Sequence, residues 1–217
     1  MSDQVPAPRP PGRPAKYQTQ REGLLLLAGI VGLMWLLEVV NTLDSNRLDS
    51  DGIWARSLGH LWGIFTAPFL HVSFQHLISN TVPFVFMGVI IALHGARRLA
   101  LVTLIVLVVG GLGTWLIAPS HSVTVGASGL VFGYATYLLV RGLFDRSALE
   151  VLVGIAVGVV WGGALISSVV PHYGISWQGH VSGAIGGVVA AYALRRERPS
   201  PTGEGRGTTT AAGALPS

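Results

Sequence analysis

A serine lies between small residues at the start of an apolar run, in the stretch VGASGLVFGY, Val125 to Tyr134. Serines in apolar helices usually hydrogen-bond to their own backbone or allow two helices to approach closely. The hydroxyl of Ser128 becomes a nucleophile only when a neighbouring base removes its proton, and a histidine such as His180 can accept one near neutral pH. These two residues therefore offer either helix packing or the chemistry of a Ser–His dyad.

Two further polar residues, His76 and Asn80, lie four positions apart and project from one face of a helix. Taken singly, each is typical of one interhelical hydrogen bond. Taken together, they can donate to the oxyanion that forms when a carbonyl is attacked, beside the N–H of Ser128 at a helix start. Gly126 would allow backbone and substrate to approach closely.

The residue types narrow the chemistry further. The chain has no cysteine, which excludes thiol nucleophiles, disulfides and thiolate metal sites. Glu38, the one acid in the first apolar segment, lies toward the outer end of that segment, and we expect it to be interfacial. A third, acidic group that would orient His180 is not apparent. We expect no metal and no cofactor.

The composition is that of an integral membrane protein. Half of the 217 residues are hydrophobic, 11% are charged and the mean hydropathy is +0.58. The 29 glycines agree, because membrane helices associate by close backbone approach at small residues. The net charge of +4 does not indicate nucleic-acid binding, because the placement of the basic residues matters more than their sum.

Six apolar segments predict an all-α bundle of six transmembrane helices, at residues 23–40, 74–93, 99–118, 127–140, 149–170 and 179–194. A helix needs about 20 residues to cross the hydrocarbon, so the fourth and sixth segments look short. A short span can begin below the surface if a water-filled recess covers its end. Ser128 lies at the start of one such segment.

The basic residues predict the orientation. Twelve of the fourteen lysines and arginines fall on one side of the six segments and only Arg47 and Arg56 on the other, which places both termini in the cytoplasm of a plasma-membrane protein. Residues 1–20 and 197–217 are polar and proline-rich, so we expect disordered cytoplasmic tails around a membrane domain at 21–196. The long external loop, 41–73, is rich in aromatic residues and predicts a structured element in the interface.

With this orientation, the second, fourth and sixth segments all begin near the outer surface. His76 and Asn80, Ser128, and His180 then share one depth, where a polar cluster indicates a functional cavity with water access. The sixth segment also carries GHVSGAIGG, with Gly179, Gly183 and Gly187 at intervals of four, a seam for tight helix packing. If its partner is the fourth segment, His180 is brought onto Ser128.

Three motifs in this order, HVSFQHLISN, GASGLVFGY and GHVSGAIGG, resemble those of the rhomboid intramembrane serine proteases of the bacterial six-span type, over residues 23–194. The resemblance implies that Ser128 is the nucleophile, that His180 is its base and that His76 and Asn80 stabilise the oxyanion. It implies a supporting position for His71. It also implies cleavage of the transmembrane segments of other membrane proteins near the outer face of the bilayer.

The sequence departs from the family pattern in two places. The tryptophan–arginine pair that members often carry in the first external loop is here Trp62 followed by Gly63. Phe132 lies where some members have tyrosine, and its ring can pack against His180 without offering a hydroxyl. The stretch is also not the G-x-S-x-G elbow of soluble hydrolases, because position 130 is leucine and no strand is predicted before Ser128.

Other functions fit part of this pattern. A catalytically inactive relative would bind membrane helices without cutting them, although both members of the dyad are present. A haem-binding bundle could use His76 and His180 as axial ligands, and a proton-coupled transporter could use them as a relay. A transporter is expected to show internal repeats, and no clear repeat is visible.

Overall fold

The computed structural model of the chain describes residues 15–171 and 174–195. Seven helices account for most of these residues: α1 (Ala15–Leu43), α2 (Gly63–Thr66), α3 (Phe74–Ala92), α4 (Ala96–Ile117), α5 (Ser128–Asp145), α6 (Ala148–Val169) and α7 (Trp177–Ala193). Two short strands, β1 (Ile53–Trp54) and β2 (Val123–Thr124), pair antiparallel. The protein is a helical membrane bundle, as its composition predicts.

Six of the helices are long, and each coincides with one predicted apolar segment. Four regions are long and apolar enough to cross a membrane, Gln18–Leu43 in α1 together with α3, α4 and α6, which makes this a multi-pass membrane protein. Helices α5 and α7 have 18 and 17 residues. They correspond to the two segments that look short in the sequence.

The described structure corrects the predicted N-terminal boundary. Helix α1 begins at Ala15, so residues 15–20 are helical although their polar composition predicts disorder. A helix that is already stabilised by an apolar segment extends at little cost, because each added residue brings one more backbone hydrogen bond. Residues 1–14 and the predicted tail at 197–217 lie outside the described residues.

Serine side chains cap three of the helices and define where they begin. Ser73, Ser147 and Ser176 accept hydrogen bonds from the first-turn amides of α3, α6 and α7 respectively. Helix α5 differs, because Ala127 occupies its N-cap position and no side-chain cap is formed there. The first amides of α5 are therefore left for other partners.

The loop between α1 and α3 is structured, as its aromatic content predicts. It contains three 3₁₀ turns, Arg47–Asp51, Leu58–His60 and Ala67–Phe69, in addition to β1 and α2. Strand β1 pairs with β2, which lies four residues before Ser128. The expectation that no strand precedes Ser128 is therefore wrong. The strand is only two residues long, and its pairing partner is distant in sequence, so no local pattern marks it.

Arg56 attaches this loop to the end of α4. Its guanidinium donates to the carbonyl oxygens of Leu116 and Ala118 at 2.9 and 2.7 Å, and to the hydroxyl of Ser120 at 2.7 Å. The last carbonyls of a helix lack intrahelical partners, and a cation at this end also interacts favourably with the negative end of the helix dipole. Arg56 thus holds the loop between α1 and α3 against the segment that leads to Ser128.

Helix α7 is packed tightly between α5 and α4 because glycines line both contacts. A Cβ atom at Gly183 or Gly187 would lie 2.1 Å from the carbonyl oxygen of Gly129 or Gly133 in α5. On the other side, a Cβ atom at Gly186 would lie 2.9 Å from the Cα of Val106 in α4. The glycine seam therefore packs against the helix that begins with Ser128.

Candidate active site

A cavity of about 1040 Å³ lies among α3, α5, α6 and α7 and contains the polar residues that the sequence singles out. Its lining includes His76, Asn80, Ser128, Phe132 and His180. Lining residues from α6, among them Trp161 and Ser168, form the opposite wall. Three helices thus bring together side chains that are more than 100 positions apart in the chain.

The backbone on the N-terminal side of Ser128 is held by two hydrogen bonds. The N–H of Gly126 donates to the carbonyl of Ala67 at 2.9 Å, and the N–H of Ala127 donates to Nε2 of His71 at 3.3 Å. Gly126 has a φ of +117°, in a region that favours glycine. The N–H of Ser128 is the next amide, and it has the helix dipole of α5 behind it.

His180 is oriented by two neighbours. Its Nδ1 lies 2.8 Å from the carbonyl oxygen of Ser168 in α6. Because a carbonyl only accepts, Nδ1 carries the proton and Nε2 has the free lone pair. The ring of Phe132 stacks on the imidazole, with centroids 4.3 Å apart and planes 8° apart. His180 is therefore held in the tautomer that a general base needs.

Ser128 and His180 line the same cavity, and the structure has no direct hydrogen bond between their side chains. Catalytic hydrogen bonds are often long before substrate binds and shorten in the complex. Within residues 15–171 and 174–195, Ser128 Oγ has no hydrogen-bond partner, so the hydroxyl is free to turn toward a base.

His76 and Asn80 lie against the backbone that precedes the serine. A Cβ atom at Gly126 would lie 2.7 Å from Cε1 of His76 and 3.5 Å from Nδ2 of Asn80. Nδ1 of His76 and Nδ2 of Asn80 are buried and have no hydrogen-bond partner among the described residues. Buried polar atoms without a partner are costly, and donors such as the Asn80 amide are suited to a charge that develops during a reaction.

His71 is completely buried next to the same backbone. Its ring meets that of His76 edge-on, with centroids 5.1 Å apart, while its Nε2 accepts the Ala127 amide. Burial, together with the nearby His76, lowers the pKa of His71 from 6.5 to about 4. His71 is therefore neutral near pH 7, and it contacts the nucleophile segment without lining the cavity.

Two residues at the C-terminal end of α1 take positions that their sequence context does not reveal. Glu38 is 1% exposed, so the expectation of an interfacial position is wrong. Asn41, three residues later on the same face, is equally buried and donates to the carboxylate of Asp49 at 2.9 Å. That carboxylate interacts electrostatically with His76, and its pKa is raised by burial. An acidic group is therefore present, but its electrostatic interaction is with His76 rather than with His180.

Sequence reasoning misses Ser168, Asn41 and Asp49. Ser168 contributes only its carbonyl, which every residue type possesses, so no sequence pattern could identify it. Asn41 and Asp49 lie at the end of an apolar helix and in a polar loop, where such residues are common. A polar residue on the buried face of α1 is the only signal that could have drawn attention to Asn41.

Comparison with known proteins gives a consistent result. A sequence profile of the Rhomboid domain matches residues 58–197. An uncharacterized protein of Mycobacterium tuberculosis is 41% identical over 202 residues, which cover 86% of this chain and 84% of the relative. The rhomboid protease GluP of Bacillus subtilis is 28% identical over 78% of this chain and 34% of its own length. The chloroplastic rhomboid-like protein 11 of Arabidopsis thaliana is 32% identical over 60% of this chain and 51% of its own.

The domain match includes α3 to α7, and so all the helices that line the cavity. The same three helices that carry the sequence motifs supply Ser128, His180, His76 and Asn80. This chain belongs to the rhomboid family.

Proposed function

We propose that this protein is an intramembrane serine endopeptidase, in which Ser128 is the nucleophile and His180 the general base. One observation carries the proposal: the Ser168 carbonyl holds the proton on Nδ1 of His180, which leaves Nε2 as the acceptor in the cavity that Ser128 also lines. A binding protein would not require this tautomer. An inactive relative that only binds membrane helices is the alternative.

In the proposed reaction, Ser128 Oγ attacks the carbonyl carbon of a peptide bond and its proton passes to Nε2 of His180. The tetrahedral oxyanion accepts hydrogen bonds from the N–H of Ser128 and the side chains of His76 and Asn80. The imidazolium then protonates the leaving amine, which releases one product and leaves an acyl-enzyme. Water, activated by His180, hydrolyses the ester and restores Ser128.

Three further residues support this arrangement. Phe132 stacks on His180 and fixes the plane of the base. Gly126 allows His76 and Asn80 to reach the backbone beside the nucleophile, and Gly183 lets α7 approach α5 closely enough to bring His180 into the cavity. No residue in this scheme requires a metal or cofactor.

The proposed substrates are transmembrane segments of other membrane proteins. A peptide bond inside a helix is shielded by backbone hydrogen bonds, so a substrate must unwind locally before attack. Segments with small or helix-breaking residues near their outer ends are therefore favoured. We place both termini in the cytoplasm, six helices across the plasma membrane and the cavity opening toward the outside, as the distribution of basic residues predicts.

Labelling of the purified protein with a fluorophosphonate tests this proposal. We expect covalent modification that maps to Ser128, and loss of both labelling and cleavage of a model transmembrane substrate in Ser128→Ala and His180→Ala. Ser167→Ala, which removes an exposed hydroxyl from α6, is the matched control and should behave as wild type. Full cleavage by folded Ser128→Ala protein would exclude the mechanism, and a folded wild type without any cleavage or labelling would favour the inactive binder.

A further inference from the structure

The side chain of Asn41 joins three parts of the chain, although Asn41 does not itself line the cavity. It is 1% exposed at the C-terminal end of α1. Its Nδ2 donates to Oδ1 of Asp49 at 2.9 Å and to the carbonyl oxygen of His71 at 3.2 Å. Its Oδ1 accepts the N–H of Leu48 at 3.0 Å. A buried amide that is satisfied in this way holds its partners in one arrangement.

One branch of this junction leads to the nucleophile. The His71 carbonyl that Asn41 holds belongs to the residue whose Nε2 accepts the Ala127 amide at 3.3 Å. Ala127 directly precedes Ser128, and its amide would otherwise be an uncapped donor at the start of α5. Because that amide is engaged, the orientation of the peptide unit that joins Gly126 to Ala127, the one before the Ala127–Ser128 unit, depends on where His71 lies.

The other branch leads to the oxyanion side of the cavity. This branch also passes through His71, whose carbonyl Asn41 holds. The His76 ring also meets the His71 ring, 5.1 Å away between centroids. A displacement of Asn41 would therefore affect both the serine and a proposed oxyanion donor, even though it touches neither.

We propose that Asn41 is a positioning residue, which sets the nucleophile segment of α5 through the carbonyl and ring of His71. The inference rests on the proposed function of Ser128 and deepens it. The asparagine amide is required because it donates to two acceptors and accepts from an amide at the same time. Aspartate has the same shape, but it would lose the donors and would repel Asp49.

The test measures two quantities, each normalised to the amount of folded protein. The first is the rate constant for phosphonylation of Ser128 by a small fluorophosphonate, which needs no docking of a transmembrane segment. The second is kcat against KM for a model transmembrane substrate. Both are measured for Asn41→Ala, Asn41→Asp, His71→Ala and the double variant Asn41→Ala with His71→Ala. Thr42→Ala, at the exposed neighbouring position of α1, is the control.

We expect Asn41→Ala to lower phosphonylation and kcat by about 10-fold to 100-fold with KM nearly unchanged, since small misplacements of reacting groups cost this much. The double variant should be no slower than His71→Ala alone, because both changes act along one path. His71→Gln, which keeps a side-chain acceptor for Ala127, should recover part of the loss.

Additive losses in the double variant, or a lower melting temperature with unchanged rate constants, would overturn the inference and make Asn41 a structural junction only. If Asn41→Ala does not fold, the comparison of Asn41→Asp with Thr42→Ala decides in the same way. Absence of Ser128 labelling in the wild type would instead contradict the proposed function, so the two failures are distinguishable.

Discussion

At the scale of single residues, the pair His76 and Asn80 separates stabilisation of the oxyanion from activation of the nucleophile. Both side chains have buried nitrogens that find no hydrogen-bond partner in the described part of the chain, beside the backbone of Gly126. Loss of one oxyanion donor costs about 10²–10³ in rate in serine proteases. We expect the loss in rate for Asn80→Ala to lie at or below the low end of this range, since the Ser128 amide, His76 and water can share the negative charge. His76→Ala should lower the rate more.

Single-turnover cleavage of a model transmembrane substrate, with the thermal stability of each variant measured in parallel, checks this expectation. Phosphonylation at Ser128 should still occur in both variants, because Ser128 and His180 remain. If both variants cleave at the wild-type rate, His76 and Asn80 are interhelical hydrogen-bonding groups, and backbone amides near Ser128 form the oxyanion site.

A second residue-scale prediction concerns His71 and pH. The pKa of this group is lowered to about 4 in the folded protein against 6.5 in the unfolded chain, so the unfolded chain binds more protons between these values. The contribution of His71 to stability is complete above pH 6.5 and is lost as the pH falls toward 4. The free energy of unfolding should decrease by at most about 1.4 kcal/mol per pH unit from this source.

His71→Gln isolates the effect, because glutamine does not titrate and the raised pKa of Asp49 remains in both proteins. Thermal unfolding in detergent at pH 7, 6 and 5 should show a steeper loss of stability for the wild type than for His71→Gln. Parallel losses in the two proteins would show that His71 does not carry the acid sensitivity.

At the scale of elements, the contact between α5 and α7 decides whether the proposed dyad forms. A Cβ atom at Gly187 would lie 2.1 Å from the Gly133 carbonyl, so Gly187→Ala forces the two helices apart. Such overpacking typically costs about 1–3 kcal/mol. Because Gly187 is two turns from His180, we expect lower thermal stability together with slower labelling of Ser128.

Gly163→Ala on α6 is the matched control, since a Cβ atom there meets no atom within 4 Å. Alanine is the better helix former, so this variant should be as stable as wild type or slightly more stable. Wild-type stability and labelling in Gly187→Ala would mean that the α5–α7 contact can accommodate an added methyl group without moving the helices apart.

At the scale of the whole molecule, the end opposite the cavity gathers basic groups. Arg98 at the start of α4 donates to the carbonyl of Leu194 at the end of α7. Arg141 near the end of α5 pairs with Glu150 at the start of α6, at 3.0 Å. The distribution of basic residues predicts that this end faces the cytoplasm.

Reporter fusions test the orientation directly. A fusion after Arg195 should report a cytoplasmic location, and one in the loop that contains Arg47 should report an external location. An external signal after Arg195 would overturn the orientation and the outward opening of the cavity, while leaving the chemistry of the cavity unaffected.

By itself, the sequence determines the class of protein, the positions of the long helices and the residue types at the candidate site. Hydrophobic length and the motifs around Ser128, His180 and His76 are local properties, so they can be identified without coordinates. The burial of Glu38 could not be, because it depends on what the rest of the fold places against α1. The polar composition of residues 15–20 hides their helical state, although the apolar segment that follows extends its helix into them.

Tertiary structure alone decides how the candidate site is held together. The tautomer of His180 depends on a carbonyl in α6, and the segment before Ser128 depends on Ala67, His71 and Asn41. These contacts use backbone groups or partners distant in sequence. A backbone carbonyl is the same in every residue, and a pairing across more than 50 positions leaves no local pattern. Only the packing of the helices therefore determines which backbone groups and side chains meet at the candidate site.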